Sequence, residues 1–278
     1  MSARGAAANG RTLPTVADLR ALKGKRQLTM LRLFTLEEAA AAEEAGIDIA
    51  SLAPELMFDP GYRRAAPSIF SMTGLTHLEA GSADDYLRWA GDAVNRGADA
   101  IYCSGSMRTV EHLAREHIPI VGHVGLVPSR ATWTGGFRAV GKSADAAMDL
   151  YREVKRYEAA GAIAVEIEVV PEAVATEIAR RTSVLLWSMG AGAGCAAQYL
   201  FANDLLGYTE GHVPRHSKVY RDFRAEHDRL QRERIAAFGE FVADVESGTF
   251  PAPQHLVEMA DRERDAFRDA LEREQNTP

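Results

Sequence analysis

The chain has 278 residues, of which 46% are hydrophobic, and its formal net charge is −7. This length and composition can bury a large core without disulfide bonds or structural metal. Basic residues are scattered among acids, so we expect no nucleic-acid partner. Because no apolar run approaches the roughly 20 residues that span a bilayer, and no secretory leader is recognisable, we expect a cytoplasmic protein without membrane contact.

Apolar runs typical of strands alternate with amphipathic stretches typical of helices along the chain. Strands are expected in LTMLRLF (28–34), IDIASL (47–52), SIFSM (68–72), DAIYCS (99–104), IPIVGHVGL (118–126), AIAVEIE (162–168) and SVLLWSMGAG (183–192). Helices are expected over 36–46, 82–98, 107–117, 143–161 and 171–181. This alternation favours a parallel sheet closed into a (β/α)₈ TIM barrel. An open doubly wound sheet is the alternative, but no GxGxxG follows the first strand.

Three segments are expected along the chain: a flexible tail over residues 1–13, a barrel domain with its C-terminal helix over 14–255, and a charged helical tail over 256–278. Beyond residue 220 the sequence is typical of a long charged helix. Its apolar stripe comprises Leu230, Ile235, Phe238 and Phe241. Such a stripe indicates packing against the barrel or against a second copy of the chain.

In a parallel barrel the functional side chains collect at the carboxyl ends of the strands and in the loops that follow. The candidates at these ends are Ala53, Thr73, Tyr102, Cys103, Ser104, His123, Glu166, Glu168 and Met189. Cys103 can serve as a nucleophile, although a small buried cysteine more often serves packing. Cys103 and Cys195 form no CxxC or metal-binding spacing.

Two glutamates interrupt the apolar run AIAVEIEVVP at residues 162–171. The strand period of two places Glu166 and Glu168 on one face. If that face points into the barrel, Glu168 lies nearer the open end, where partial burial and a like charge raise a carboxyl pKa toward the range useful for proton transfer. The alternative is that these glutamates pair with an arginine. Glycines flank His123 in GHVGL, which allows close approach of a ligand.

An ordered series of motifs in this chain resembles the ketopantoate hydroxymethyltransferase family of the phosphoenolpyruvate/pyruvate barrel superfamily. The motifs are IPIVGHVGLVPS, TGGFRAVGK, EAAGAIAVEIEVVP, GAGAGCAAQ, NDLLG, GHVPRHSK and FVADVESGTFP, within residues 100 to 252. The resemblance implies transfer of a one-carbon unit from methylenetetrahydrofolate to a branched 2-oxo acid held by Mg²⁺. It also implies a homo-oligomer, Glu168 as the general base and His123 as the strand-end histidine.

The chain departs from that pattern at the positions implied for the metal. Ala53, Met72 or Thr73, and Ser104 stand where the resemblance implies three acidic ligands, and Tyr102 stands where it implies a substrate-binding lysine. Because Mg²⁺ requires hard oxygen ligands, usually including a carboxylate, we expect no family-type Mg²⁺ site and no other bound cofactor. Methylenetetrahydrofolate remains the donor that the resemblance implies.

The leading hypothesis is an enzyme that makes or breaks a carbon–carbon bond next to the carbonyl of a small 2-oxo acid other than ketoisovalerate. Glu168 acts as base, with His123 and Tyr102 as further catalytic residues. The substrate pocket is assigned to Ser104, Thr73, Ala53, Cys103, Glu166 and Met189. Two alternatives stay open: a rebuilt metal site using Glu55, Asp59, His77 and Glu79, or a catalytically silent relative that binds a ligand or assembles with a subunit.

Overall fold

Eight parallel strands, hydrogen-bonded in chain order, close into a barrel in which the first strand pairs with the last. The predicted TIM barrel is therefore confirmed and the open sheet is excluded. This computed structural model describes residues 10–75 and 79–275. The strands are β1 (Leu28–Leu33), β2 (Ile49–Leu52), β3 (Phe70–Thr73), β4 (Ala100–Tyr102), β5 (Ile120–Gly125), β6 (Ala164–Glu168), β7 (Leu185–Met189) and β8 (Ala197–Phe201).

Helices precede β1, follow β8 and occupy most of the segments between the strands. They are α1 (Val16–Leu22), α2 (Leu36–Ala45), α3 (Pro54–Met57), α4 (Tyr62–Ala65), α5 (Ala83–Asn95), α6 (Met107–Arg115), α7 (Ala131–Thr134), α8 (Ala144–Ala159), α9 (Glu172–Arg180) and α10 (Ala202–Leu206), with a 3₁₀ turn at Pro128–Arg130. Two of these helices have well-formed ends: the Ser82 hydroxyl accepts the Asp85 N–H, and Gly46 ends α2 in the left-handed conformation. These caps satisfy backbone groups that a helix end leaves unpaired.

Two features of the barrel differ from the sequence-based expectation. Strand β8 follows β7 without an intervening helix, since residues 190–196 form only turns and bends. The expected alternation of strands and helices therefore did not predict this strand. The segment over residues 53–67, for which no helix was expected, contains the short helices α3 and α4.

Apolar side chains form one cluster inside the barrel and another between the strands and the outer helices. The inner cluster includes Leu28, Met30, Ile49, Phe70, Met72, Ala100, Val121, Leu185 and Trp187. The outer cluster includes Leu33, Leu52, Ile101, Val124, Val154, Tyr157, Val165 and Ile167. The inner cluster fills the amino-terminal part of the lumen, so polar side chains at the other end have an apolar floor beneath them.

The chain divides into two compact units, Met1–Asp222 and Phe223–Pro278. The second contains α11 (Phe223–Ser247), a 3₁₀ turn at Pro253–His255 and α12 (Asp261–Gln275). Within it, the Phe250 ring packs on the Phe241 ring with centroids 5.5 Å apart. No helix within the described ranges is long and apolar enough to cross a membrane. Most of the predicted 1–13 tail lies outside the described residues.

Candidate active site

A cavity of ≈ 1100 Å³ opens at the carboxyl ends of the barrel strands. Alternation along β4, β5 and β6 turns Tyr102, His123 and Glu166 toward it, and Glu168 follows on the same face. Cross-strand register places His123 beside Glu166, and Glu168 beside both Gly125 and Met189. The strand period therefore accounts for the polar group at this end of the lumen.

His123 contacts three polar side chains. The Tyr102 hydroxyl lies 2.8 Å from His123 Nδ1 in a hydrogen bond whose direction depends on the imidazole tautomer. Glu166 Oε2 lies 3.6 Å from the same nitrogen, and Glu168 Oε2 lies 3.1 Å from His123 Nε2, although the latter contact is not aligned as a hydrogen bond. The imidazole therefore lies between the Glu166 and Glu168 carboxylates and keeps these two like-charged groups apart.

Glu166 is almost completely buried, with 4% of its side chain exposed. Burial raises the pKa of Glu166 to about 7, the His123 and Arg32 charges oppose this rise, and the Glu168 charge adds to it. Within the described part of the chain, Glu166 Oε1 has no hydrogen-bond partner. A carboxyl in this environment exchanges its proton near neutral pH.

Glu168 occupies a more open position, with 12% of its side chain exposed. Its backbone carbonyl accepts the Leu126 N–H at 2.9 Å, and the next N–H, of Val169, donates to Met189 O at 2.8 Å. Val169 has φ 49°, a left-handed conformation that is costly for a β-branched residue. Such strain persists where surrounding contacts enforce it, often at functional sites. These contacts fix the backbone from which Glu168 extends.

The close approach of β5 to β6 explains the second glycine of GHVGL. Gly125 has φ 86°, and a Cβ there would lie 2.3 Å from Glu168 O. Only glycine therefore fits beside the Glu168 carbonyl.

The cavity brings together most, but not all, of the side chains predicted from the sequence. Those that line it are Ala53, Tyr102, Ser104, His123, Glu166, Glu168 and Met189. Thr73 and Cys103 do not line it, because each is one residue beyond an inward-facing position and points to the outer side of the barrel. Cys103 is fully buried in the outer cluster, and burial raises the pKa of its thiol. Neither residue is part of the site proposed below.

The sequence reading missed several polar side chains of the cavity, among them Arg32, Ser51, Tyr199 and His216. Arg32 Nη1 donates to Ser51 Oγ at 3.0 Å. The signal for Arg32 was present, since period two from Leu28 and Met30 turns it inward. His216 comes from the loop after α10, and burial lowers its pKa. Strand periodicity carries no signal for a residue in such a loop.

The side chains at the cavity do not fit the Mg²⁺ site that the family resemblance implies. Ala53 cannot coordinate a metal, and Ser104 offers only a neutral hydroxyl. Glu166 and Glu168 contact opposite nitrogens of His123, so their oxygens do not converge on one point. Over residues 10–75 and 79–275, no three His, Cys, Asp or Glu side chains are placed to hold a metal ion.

Of the four residues proposed for a rebuilt metal site, those that the structure describes do not share one location. Glu55 and Glu79 line the cavity. Asp59 accepts the Gly61 N–H at 2.6 Å. His77 lies outside the described residues. The described members therefore do not assemble into a metal-binding group.

This closed parallel barrel, with acids and a histidine at the carboxyl ends of its strands, has the architecture of the TIM-barrel enzymes, whose active sites lie at that end. Among solved structures, the fold is similar to that of a putative phosphonomutase from Burkholderia cenocepacia J2315, with a TM-score of 0.51 and 13% identity over 66% of this chain and 91% of that chain. This likeness concerns the fold alone.

The sequence places the chain more narrowly within that class. Residues 62–253 match the family model described as ketopantoate hydroxymethyltransferase. The 3-methyl-2-oxobutanoate hydroxymethyltransferase of Halalkalibacterium halodurans is 31% identical, covering 89% of this chain and 95% of the relative. That of Pyrobaculum calidifontis is also 31% identical, covering 87% and 97%. The chain belongs to the ketopantoate hydroxymethyltransferase family and is an enzyme of the transferase or lyase type.

Proposed function

We propose that the enzyme makes or breaks a carbon–carbon bond at the carbon next to the carbonyl of a small 2-oxo acid, and that it does so without Mg²⁺. The observation that carries this proposal is the position of Glu168, whose carboxylate lines the cavity 3.1 Å from the His123 imidazole. A carboxylate at the open end of a barrel, with an apolar floor beneath it, is suited to removing a proton from a bound substrate.

Glu168 removes a proton from the substrate carbon next to the carbonyl; the electron pair of that C–H bond forms the C=C bond of an enolate, and the π pair of the carbonyl moves to its oxygen. In the direction of synthesis, the enolate carbon then forms a bond to a one-carbon electrophile. Methylenetetrahydrofolate, by family resemblance, would supply that unit at the oxidation level of formaldehyde: water would break its two C–N bonds, tetrahydrofolate would leave, and the oxygen of the one-carbon unit would take up a proton as the new C–C bond forms. In the reverse direction the carbon–carbon bond breaks and Glu168 returns the proton.

The developing negative charge on the enolate oxygen requires stabilisation. Tyr102, Ser104 and His123 line the cavity and offer hydroxyl and imidazole donors. Preorganised donors of this kind lower a barrier in a site that excludes water, because they need no reorganisation as charge develops. Burial raises the pKa of Tyr102, so the phenol stays protonated, and it can donate to the substrate in the tautomer in which His123 Nδ1–H donates to it.

The substrate is proposed to differ from 3-methyl-2-oxobutanoate. The relatives are named for that acid, whereas this cavity presents Ala53, Tyr102 and Ser104 at the positions implied for a metal ligand, a lysine and another metal ligand. A change of charge at three positions alters how an oxo acid is oriented.

Solvent deuterium exchange tests Glu168 directly. The enzyme, in D₂O with a chelator, is incubated with pyruvate, 2-oxobutanoate and 3-methyl-2-oxobutanoate, and NMR follows loss of the C–H signal above the uncatalysed rate. We expect exchange with at least one acid, and a loss of roughly 10²- to 10⁴-fold in Glu168→Gln. Glu111→Gln, an exposed change on α6, is the matched control.

The outcomes separate the components of the proposal. Equal exchange in Glu168→Gln and wild type would show that another group is the base. Exchange that appears only when Mg²⁺ is added would overturn metal independence. Absence of exchange with every acid would favour the silent, ligand-binding alternative.

A further inference from the structure

Arg32 lies at the carboxyl end of β1 on the inward face. Register places it beside Ser51 of β2 and Phe201 of β8, and all three side chains line the cavity. Arg32 is half-buried, so its guanidinium is drawn partly out of water. A charge in that position calls for a partner of opposite sign.

Arg32 forms no direct ion pair within the described ranges, and its charge acts on Glu166 only over a longer distance. No carboxylate oxygen there lies within 4.0 Å of its guanidinium nitrogens, and its hydrogen bond is the one from Nη1 to the neutral Ser51 hydroxyl. A guanidinium carries five N–H donors in a planar fork. The Ser51 contact orients that fork and leaves further donors for a ligand.

The charges around the cavity make this cation significant. The acidic side chains that line the cavity are Glu55, Glu79, Glu166, Glu168 and Asp204. Among the described lining residues, Arg32 is the one lysine or arginine. A cavity with that excess of carboxylates repels an anionic substrate unless a fixed positive charge compensates.

We propose that Arg32 binds the carboxylate of the substrate and supplies the positive charge in a cavity whose described side chains do not form a metal-binding group. The geometry suits this role, since arginine binds a carboxylate through two parallel N–H···O contacts and keeps its charge at every relevant pH. The inference rests on the proposed function for the 2-oxo acid class of the ligand. Its consequence is selectivity: the site takes small carboxylates and rejects neutral carbonyl compounds of the same size.

Binding of two unreactive, nearly isosteric probes tests this role separately from catalysis. Oxamate carries a carboxylate next to an amide, whereas oxamide is neutral. Titration calorimetry measures both probes against wild type in the presence of a chelator. We expect oxamate to bind and oxamide to bind much more weakly.

Variants at position 32 then assign the selectivity to this side chain. In Arg32→Gln we expect oxamate affinity to fall roughly 10- to 100-fold, as for loss of a hydrogen-bonded charge, with oxamide unchanged. Arg32→Lys retains the positive charge without the planar fork of donors, so its oxamate affinity should lie between those of wild type and Arg32→Gln. Arg152→Gln, an exposed change on α8, is the matched control.

Several results would overturn the inference: no oxamate binding to wild type, binding only after Mg²⁺ is added, or equal oxamate affinity in wild type and Arg32→Gln. If Arg32→Gln does not fold, Arg32→Lys decides, because a purely structural arginine predicts the same oxamate-to-oxamide ratio as wild type. Oxamate selectivity without deuterium exchange would refute the proposed reaction and leave the Arg32 role intact. Deuterium exchange without that oxamate selectivity would refute the Arg32 role and leave the proposed reaction intact.

Discussion

At the scale of single residues, the two glutamates of β6 have different environments although only one residue separates them. Glu166 is buried on the inward face of β6, and this burial raises its pKa to about 7. Glu168, one strand period further on, reaches the cavity. His123 lies between them, and Tyr102 contacts the same imidazole. The proposed assignment of the base to Glu168 therefore depends on exposure rather than on residue type.

The raised pKa of Glu166 predicts a pH-dependent stability. The pKa of Glu166 in the folded chain lies above its ordinary value of 4.5. Below that pH the carboxyl is protonated in both the folded and the unfolded chain, so its burial carries no charge penalty. Stability falls as the pH rises through about 7, where the buried carboxyl ionises. For Glu166→Gln we expect the free energy of unfolding to exceed that of wild type by an amount that grows between about pH 5 and pH 8. The full pKa shift of Glu166 corresponds to a difference on the order of 3 kcal/mol.

Urea unfolding of wild type and Glu166→Gln across this pH range measures the effect. Glu111→Gln again provides the exposed control: its free energy of unfolding should differ from that of wild type by the same amount at every pH in this range. Parallel stability curves for Glu166→Gln and wild type would contradict the expectation.

At the scale of elements, glycines set how closely β5 approaches its neighbours. Gly125 faces the Glu168 carbonyl, and Gly122 faces the Tyr157 ring of α8. The Tyr157 hydroxyl donates to the His123 carbonyl at 3.4 Å, so this outer contact borders the residue that organises the cavity. Close packing of α8 on β5 therefore supports the site from outside the barrel.

Two Gly→Ala changes should have opposite effects on stability. A Cβ at Gly122 would lie 2.3 Å from Tyr157 Cε1, and overpacking of this kind costs about 2 kcal/mol or more. Gly91, inside α5, has open space around its Cα, so alanine should stabilise the chain by roughly 0.5–1 kcal/mol through helix propensity. Denaturant unfolding of both variants checks the signs. A neutral Gly122→Ala would show that α8 moves away from β5 without cost.

At the scale of the whole molecule, the barrel unit contains every side chain of the described cavity. The second unit contributes α11, whose Ile235, Phe238 and Phe241 form an apolar stripe on a charged helix. Apolar stripes of this kind are stabilised when they pack against another surface. The expected homo-oligomer offers one such surface.

Sedimentation velocity tests that expectation. We expect a species heavier than the 30.3 kDa chain, and a shift toward the monomer in Ile235→Ser/Phe238→Ser. Glu233→Ser, about half a turn away on the polar side, should leave the mass unchanged. A wild-type monomer, or an oligomer insensitive to the double change, would rule out this role for α11.

Much of the fold and part of the candidate site follow from local sequence pattern. The alternation of apolar runs predicted the barrel and its first seven strands. Period two placed Glu166 and Glu168 on one face, and the glycines beside His123 indicated close packing. The eighth strand was missed because no helix precedes it. Thr73 and Cys103 were predicted to line the substrate pocket because they lie at strand ends. The strand period, however, turns both side chains away from the barrel interior.

The sequence by itself determined the barrel, the family and the strand-end acids, because these depend on residue order and on a period that is local to each strand. Only the tertiary structure decided that Arg32 meets Ser51, that Tyr102 meets His123, and that Glu166 is buried deeply enough for its pKa to rise to about 7. These features depend on register and burial across the closed barrel, which bring together residues that are distant along the chain.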